Sequence, residues 1–102
     1  MVTCIALISF TEQGIRNVKD TVQWAEALKE TAAKLGVTVK AIYWTLGQYD
    51  VIATLEGAGD APITAVTLAM NATGNIRSQT LRAYSAGEMQ LILDEVAWSA
   101  IT

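Results

Sequence analysis

Residues 2–10, VTCIALISF, run nine positions without a charge and with β-branched and aromatic side chains throughout. Side chains of a strand alternate between its two faces, so a run apolar in both sets reads as a strand covered on both sides. A chain opening this way must find a cover for each face of the sheet it builds.

The rest of the chain supplies elements at the spacing of a small α+β domain. Thr11 to Asn17 reads as a polar loop, followed by a helix over about 18–35. In a 100° projection Val18, Thr21, Ala25, Leu28, Ala32 and Leu35 share one face of it, with Trp24 at the edge and Lys19, Gln23, Glu26, Glu30 and Lys34 opposite. Gly36 stands where a left-handed helix stop is expected. Residues 37–46 and 51–56 read as strands around the hairpin Gly47-Gln48-Tyr49-Asp50. Gly57 to Pro62 breaks the pattern, with Asp60 the expected N-cap of a second helix over 61–73. No charge lies between Asp60 and Arg77, so part of that helix's second face, Ala61, Ala65, Leu68, Ala69 and Ala72, is expected to be covered. A fourth strand follows over 76–84. Ser85 with Glu88 three residues on then forms a capping box ahead of a short C-terminal helix.

The order β-α-β-β-α-β is the split βαβ arrangement: one antiparallel sheet with two helices on one face and, here, a short terminal helix. No linker divides the chain, so residues 1–102 form a single domain with a core over 2–95 and a tail over 97–102 that, with its Trp98, is either loosely ordered or packed on a partner. Two helices on one face leave the other bare, and that face carries large apolar side chains from the first two strands. A homodimer or higher oligomer, sheet against sheet, is the expected cover.

Composition excludes several chemistries. The chain has no histidine and one cysteine, Cys4, which removes histidine-dependent triads, histidine-held zinc or haem, an internal disulfide and a thiolate cage. The net charge is −3 and no basic run could track a nucleic acid backbone. The apolar N-terminus lacks a basic flank and a cleavage pattern, and no run is long enough to cross a membrane. A soluble, cytoplasmic protein follows, with no cofactor, metal, nucleic acid or membrane partner expected.

At Gly47-Gln48-Tyr49-Asp50 the sequence resembles the GYD domain family, small bacterial proteins that share this Gly-x-Tyr-Asp element. The resemblance spans roughly 2–95 and includes Phe10-Thr11-Glu12-Gln13-Gly14, Tyr43-Trp44-Thr45-Leu46-Gly47 and Gly74-Asn75-Ile76-Arg77. It implies a ferredoxin-like domain assembling as a dimeric α+β barrel, and it implies no particular activity. Gln48 departs from the basic residue expected there in many relatives, which leaves that position without a charge for an anion.

Strand directions bring Thr11–Asn17, Gly47–Asp50 and Gly74–Arg77 to one end of the sheet. These residues are the expected ligand site. Asp50 would be a proton or hydrogen-bond acceptor, Tyr49 a donor or stacking surface, and Arg16 or Arg77 the partner of an acidic group. Thr11, Gln13, Asn17 and Asn75 would orient the ligand. The alternative is structural, with Gly47 and Asp50 as hairpin residues and Asp50 paired to Arg77. Trp24, Tyr43 and Trp44 are weaker candidates for lining a pocket between helices and sheet. Cys4 reads as a small buried hydrophobe, and Glu12 and Glu56 belong to no spaced ligand set. The expected function is a homo-oligomeric module binding a small, acidic metabolite. Two alternatives stand beside it: a cofactor-independent isomerase, lyase or oxygenase with Asp50 as base, and a purely structural oligomer.

Overall fold

The computed structural model describes residues 1–101, with side chains described through Ser99. The elements are β1 (Val2–Phe10), α1 (Glu12–Arg16), α2 (Thr21–Lys34), β2 (Thr38–Trp44), β3 (Val51–Gly57), α3 (Asp60–Asn71), β4 (Ile76–Ala83), α4 (Ala86–Glu95) and α5 (Trp98–Ile101). The four strands form one sheet in the order β2-β3-β1-β4, every neighbouring pair antiparallel. Among the described residues no helix is long and apolar enough to cross a membrane.

Alternation along the strands sorts the side chains into two populations. Cys4, Ala6 and Ile8 of β1 and Val51, Ala53 and Leu55 of β3 point to the helices, where they meet Leu28 and Ala32 of α2 and Ile63 and Val66 of α3. The alanines at 25 and 32 let α2 lie close to the sheet; both are buried. The complementary set lies on the face without helices. There Tyr43, Ile52, Leu7 and Gln79 stand in one cross-strand row, with Thr54, Ile5 and Leu81 in the next. Ile5, Leu7 and Ile52 are half-buried by their neighbours alone, and Tyr43 and Leu81 are exposed.

Three local expectations are corrected. Thr11 to Asn17 is not a loop: the Thr11 hydroxyl accepts from the Gly14 N–H and starts the one-turn helix α1, too short to show a period. The helix expected over 18–35 begins properly at Thr21, because Val18–Asp20 is tightened to 3₁₀ bonding with Asp20 N–H on the Asn17 carbonyl. Asp60 is not the N-cap of α3. Gly59 is, in an extended conformation, and Asp60 sits in the first turn, where a carboxylate still favours the positive end of the helix. The uncharged face of α3 is open in the single chain, with Leu68, Ala61, Ala69 and Ala72 exposed.

The Ser85–Glu88 capping box forms as the sequence requires, the Ser85 hydroxyl accepting from Glu88 N–H and the Glu88 carboxylate accepting from Ser85 N–H. The helix it starts, α4, leads away from the sheet at the end opposite the hairpin. Within the tail over 97–102, α5 is described through Ile101, while the side chains of Ala100 and Ile101, and Thr102 itself, lie outside the described residues.

Candidate functional site

Hydrogen bonds join α1 to the turn between α3 and β4. Thr11 N–H donates to the Asn75 carbonyl at 3.0 Å and the Thr11 hydroxyl donates to the Gly74 carbonyl at 2.6 Å. The Gln13 amide donates to the Thr73 carbonyl and the Asn75 side chain, and the Asn17 amide folds back on the Gln13 carbonyl. Gly14 is buried against this turn so closely that a Cβ would lie 1.9 Å from the Asn75 carbonyl oxygen. Arg16 forms an exposed ion pair with Glu12 one helical turn away. Gly74 takes a left-handed φ of 84°, which a glycine adopts without strain.

The Gly47–Asp50 hairpin is tied to the end of β1. Asp50 N–H donates to the Ile8 carbonyl and the Asp50 carboxylate accepts from Phe10 N–H, both at 2.8 Å. Thr45 N–H donates to the Asp50 carbonyl, and its hydroxyl to the Tyr49 carbonyl. The Asp50 carboxylate therefore caps the last ladder position of β1 and makes no ion pair with Arg77. Arg77 pairs in register with Ser9 on the open sheet face. The Tyr49 hydroxyl reaches the Gln79 amide oxygen at 3.2 Å and so lies over the same open face.

All eight expected residues are thus gathered at one end of the sheet, and six of them, Thr11, Gln13, Asn17, Tyr49, Asp50 and Asn75, bond to other parts of the loops or to the sheet. Arg16 is spent on Glu12. Arg77, the eighth, stands at the same end but faces away from the helices.

Beneath these loops lies a cleft between the helices and the sheet, the place for which Trp24, Tyr43 and Trp44 were weaker candidates. It lies between α2, α3 and the sheet, with a cavity volume of about 50 Å³ and a wide mouth open to solvent. Its lining gathers the ends of β1 and β2 at Phe10 and Trp44, the starts of β3 and β4 at Val51 and Ile76, and the last turn of α3 at Met70 and Asn71. Phe10 and Trp24 meet edge to face at 6.0 Å, and Trp44 Nε1–H donates to the Thr21 hydroxyl at 3.0 Å, strapping β2 to the first turn of α2. On the far wall the Asn71 amide donates to the Ser78 hydroxyl and to the Thr67 carbonyl.

No charged side chain lines this cleft. Trp24 and Trp44 do line it, as expected, but Tyr43 does not, because the strand alternation that turns Trp44 toward the helices turns Tyr43 to the open face. A hydroxyl on the helix side of a strand, as at Ser78, is the signal that could have marked the wall from the sequence. Cys4 is buried, and burial pushes its thiol pKa up while Arg82 opposes the shift, so it is a poor nucleophile. Glu56 approaches Lys40 at 4.0 Å, and among the described residues no group of carboxylates or thiols is arranged to hold a metal.

Comparisons with known proteins place this geometry. The family model described as the GYD domain matches residues 4–93. No curated protein matches the chain. Among solved structures, the crystal structure of TTHA0845 from Thermus thermophilus is similar at 24% identity and a TM-score of 0.56, over 84% of this chain and 96% of that one. An ACT domain protein from Streptococcus pneumoniae is similar at 18% identity and a TM-score of 0.49, over 81% and 90% of the two chains. The likeness to TTHA0845 is one of fold.

Proposed function

Because the chain belongs to the GYD domain family, we propose on its own geometry that it is a homodimeric small-molecule-binding module of the dimeric α+β barrel kind. Its ligand enters at the loop end and lies in the cleft beneath the Tyr49–Asp50 hairpin. The observation that carries this reading is the cleft itself: a concave, aromatic-walled space under the three converging loops, with Thr21, Thr67, Asn71 and Ser78 as its few polar groups. Phe10, Trp24 and Trp44 suit a ring, and Met70 is an adaptable wall that can move to admit one. An uncharged ligand fits better than the acidic metabolite expected from the arginines, because Arg16 is paired with Glu12 and Arg77 points to the other face. Binding fits better than base catalysis for the same kind of reason: the Asp50 carboxylate accepts the Phe10 N–H.

The homodimer rests on the open sheet face, whose central Ile5, Leu7 and Ile52 have no cover in the single chain. Titration with indole and, separately, benzoate tests the site, read from the indole N–H resonances of Trp24 and Trp44. Saturable shifts of both with indole are the expected result. Shifts at Arg77 and Asn75 with benzoate alone would return the site to the loop surface and overturn the cleft.

A further inference from the structure

The helix-facing side of the sheet is apolar on β1 and β3 and turns polar on the edge strand β4. Cys4, Ala6 and Ile8 stand in register with Arg82, Thr80 and Ser78, so these three β4 side chains share the face that the core residues use. α3 packs Ile63 and Val66 into the core and leaves a groove between itself and β4. The groove has a cavity volume of about 440 Å³, with Asp60, Thr64 and Thr67 on the helix side. That is a volume typical of small-molecule sites and larger than that of the aromatic cleft. It is also a different space: its lining offers hydroxyls and two opposite charges where the cleft offers rings. Thr67 and Ser78 stand where the two adjoin, and there the Asn71 amide bridges α3 to β4 by its bond to Ser78 at 2.8 Å.

The two charges of the groove are not spent on each other. Among the described residues the Asp60 carboxylate makes no ion pair and no hydrogen bond, and the Thr64 and Thr80 hydroxyls have no partner. Arg82 is held by one end: its Nη1 donates to the Thr3 and Ala83 carbonyls, and its guanidinium lies over the Tyr84 ring at 4.7 Å. Nη2 and Nε keep their donors. Both charges are felt at the buried Cys4 thiol that lines the groove, where, beneath the larger effect of burial, Arg82 lowers the pKa and Asp60 raises it. A solvated sheet edge needs hydroxyls or a charge. Here the guanidinium is tied back by two carbonyls, so the attraction it and Asp60 would otherwise satisfy in each other is open to a molecule that carries both charges.

We propose that the groove between α3 and β4 binds a small zwitterion, a free α-amino acid with a short polar side chain. Its carboxylate lies on Nη2 and Nε of Arg82, two donors whose fork fits a pair of carboxylate oxygens. Its ammonium lies on Asp60, and the Thr64 and Thr80 hydroxyls bond its remaining polar group. A simple anion or a simple cation leaves one of the two charges unmatched, which is how the pair selects. The groove is independent of the cleft and of the ligand proposed there.

Titration of the full chain with L-serine tests the site, beside acetate and methylammonium, which carry one of its charges each. The readout is by NMR, from the Arg82 Nε–H and the amides of Thr64 and Thr80. Saturable shifts with serine are expected, at a Kd about tenfold or more below those of the two half-probes, while the Trp24 and Trp44 indole resonances that report the cleft stay in place. Asp60→Asn gives up no hydrogen bond of the fold and is the deciding variant: it is expected to weaken serine about tenfold and to leave acetate unchanged. Arg82→Gln weakens both, and also loses the bonds to Thr3 and Ala83. Equal affinity for serine and acetate in the unaltered chain would reduce the groove to an anion contact of Arg82 and overturn the zwitterion. No saturable shift at Arg82 up to high millimolar serine would overturn the site. Serine shifts confined to the two indoles would move the ligand to the cleft and overturn it as well.

Discussion

Gly14 has no space for a methyl group, and the obstacle is backbone, not a side chain that can turn away. An added Cβ would lie 1.9 Å from the Asn75 carbonyl oxygen. Gly14→Ala must push α1 off the 73–75 turn, breaking the bonds from Thr11 and Gln13 as it goes. Overpacking of this kind costs about 1–3 kcal/mol, a loss that urea unfolding will register. Asp50 allows a finer comparison. Its carboxylate serves the part-buried Phe10 N–H, so Asp50→Ala strands that donor at a cost of about 1–3 kcal/mol. Asp50→Asn retains an acceptor oxygen and is expected to keep most of the stability. Equal losses in the two variants, measured by the same denaturation, would show that the charge matters and not the hydrogen bond.

At the scale of elements, the start of α4 titrates. The Glu88 carboxyl is held below its ordinary value first by the Ser85 N–H it accepts, and then by the Ser85 hydroxyl. A carboxyl depressed in the folded state contributes stability above its unfolded value, near ~4.3 for glutamate, and loses it as the pH falls through the folded value. α4 is therefore expected to fray as the pH drops below about 4.3, while Glu88→Gln removes that step; the amide shift of Ser85 followed by NMR reads both. Replacing the cap, Ser85→Ala, costs about 1 kcal/mol of helix stability.

At the scale of the whole molecule, the open face predicts an assembly of twice the 10.9 kDa chain. Leu7→Glu puts a carboxylate at the centre of that face, beside Ile52, and a charge buried there without a partner is costly. The variant is expected to sediment as a monomer with its helix-side core intact, since Leu7 points away from Leu28 and Val66. A Leu7→Glu chain that remains dimeric would move the interface elsewhere, for example to the uncharged face of α3, where Leu68 is exposed. Sheet-face contact is apolar, so added salt should leave the dimer unchanged, unlike an assembly held by exposed ion pairs.

What the sequence determined by itself was set by periodicity and local chemistry. The double-faced run of β1, the hairpin at Gly47–Asp50 and the Ser85–Glu88 box each depend on residues a few positions apart, and each forms where the sequence places it. The one-turn helix α1 is shorter than any window that detects a period, and the start of α3 was shifted by one residue because Gly59 and Asp60 are both competent there. Only the tertiary structure decided what the loop-end side chains do. Asp50 finds Phe10, 40 positions earlier, and Gln13 finds Thr73, 60 positions later. Residue types fit for binding a ligand are equally fit for binding a backbone, and proximity in space chooses between them. The cleft has the same origin: it is a gap left between side chains from six elements, and such a gap exists only once those elements are packed.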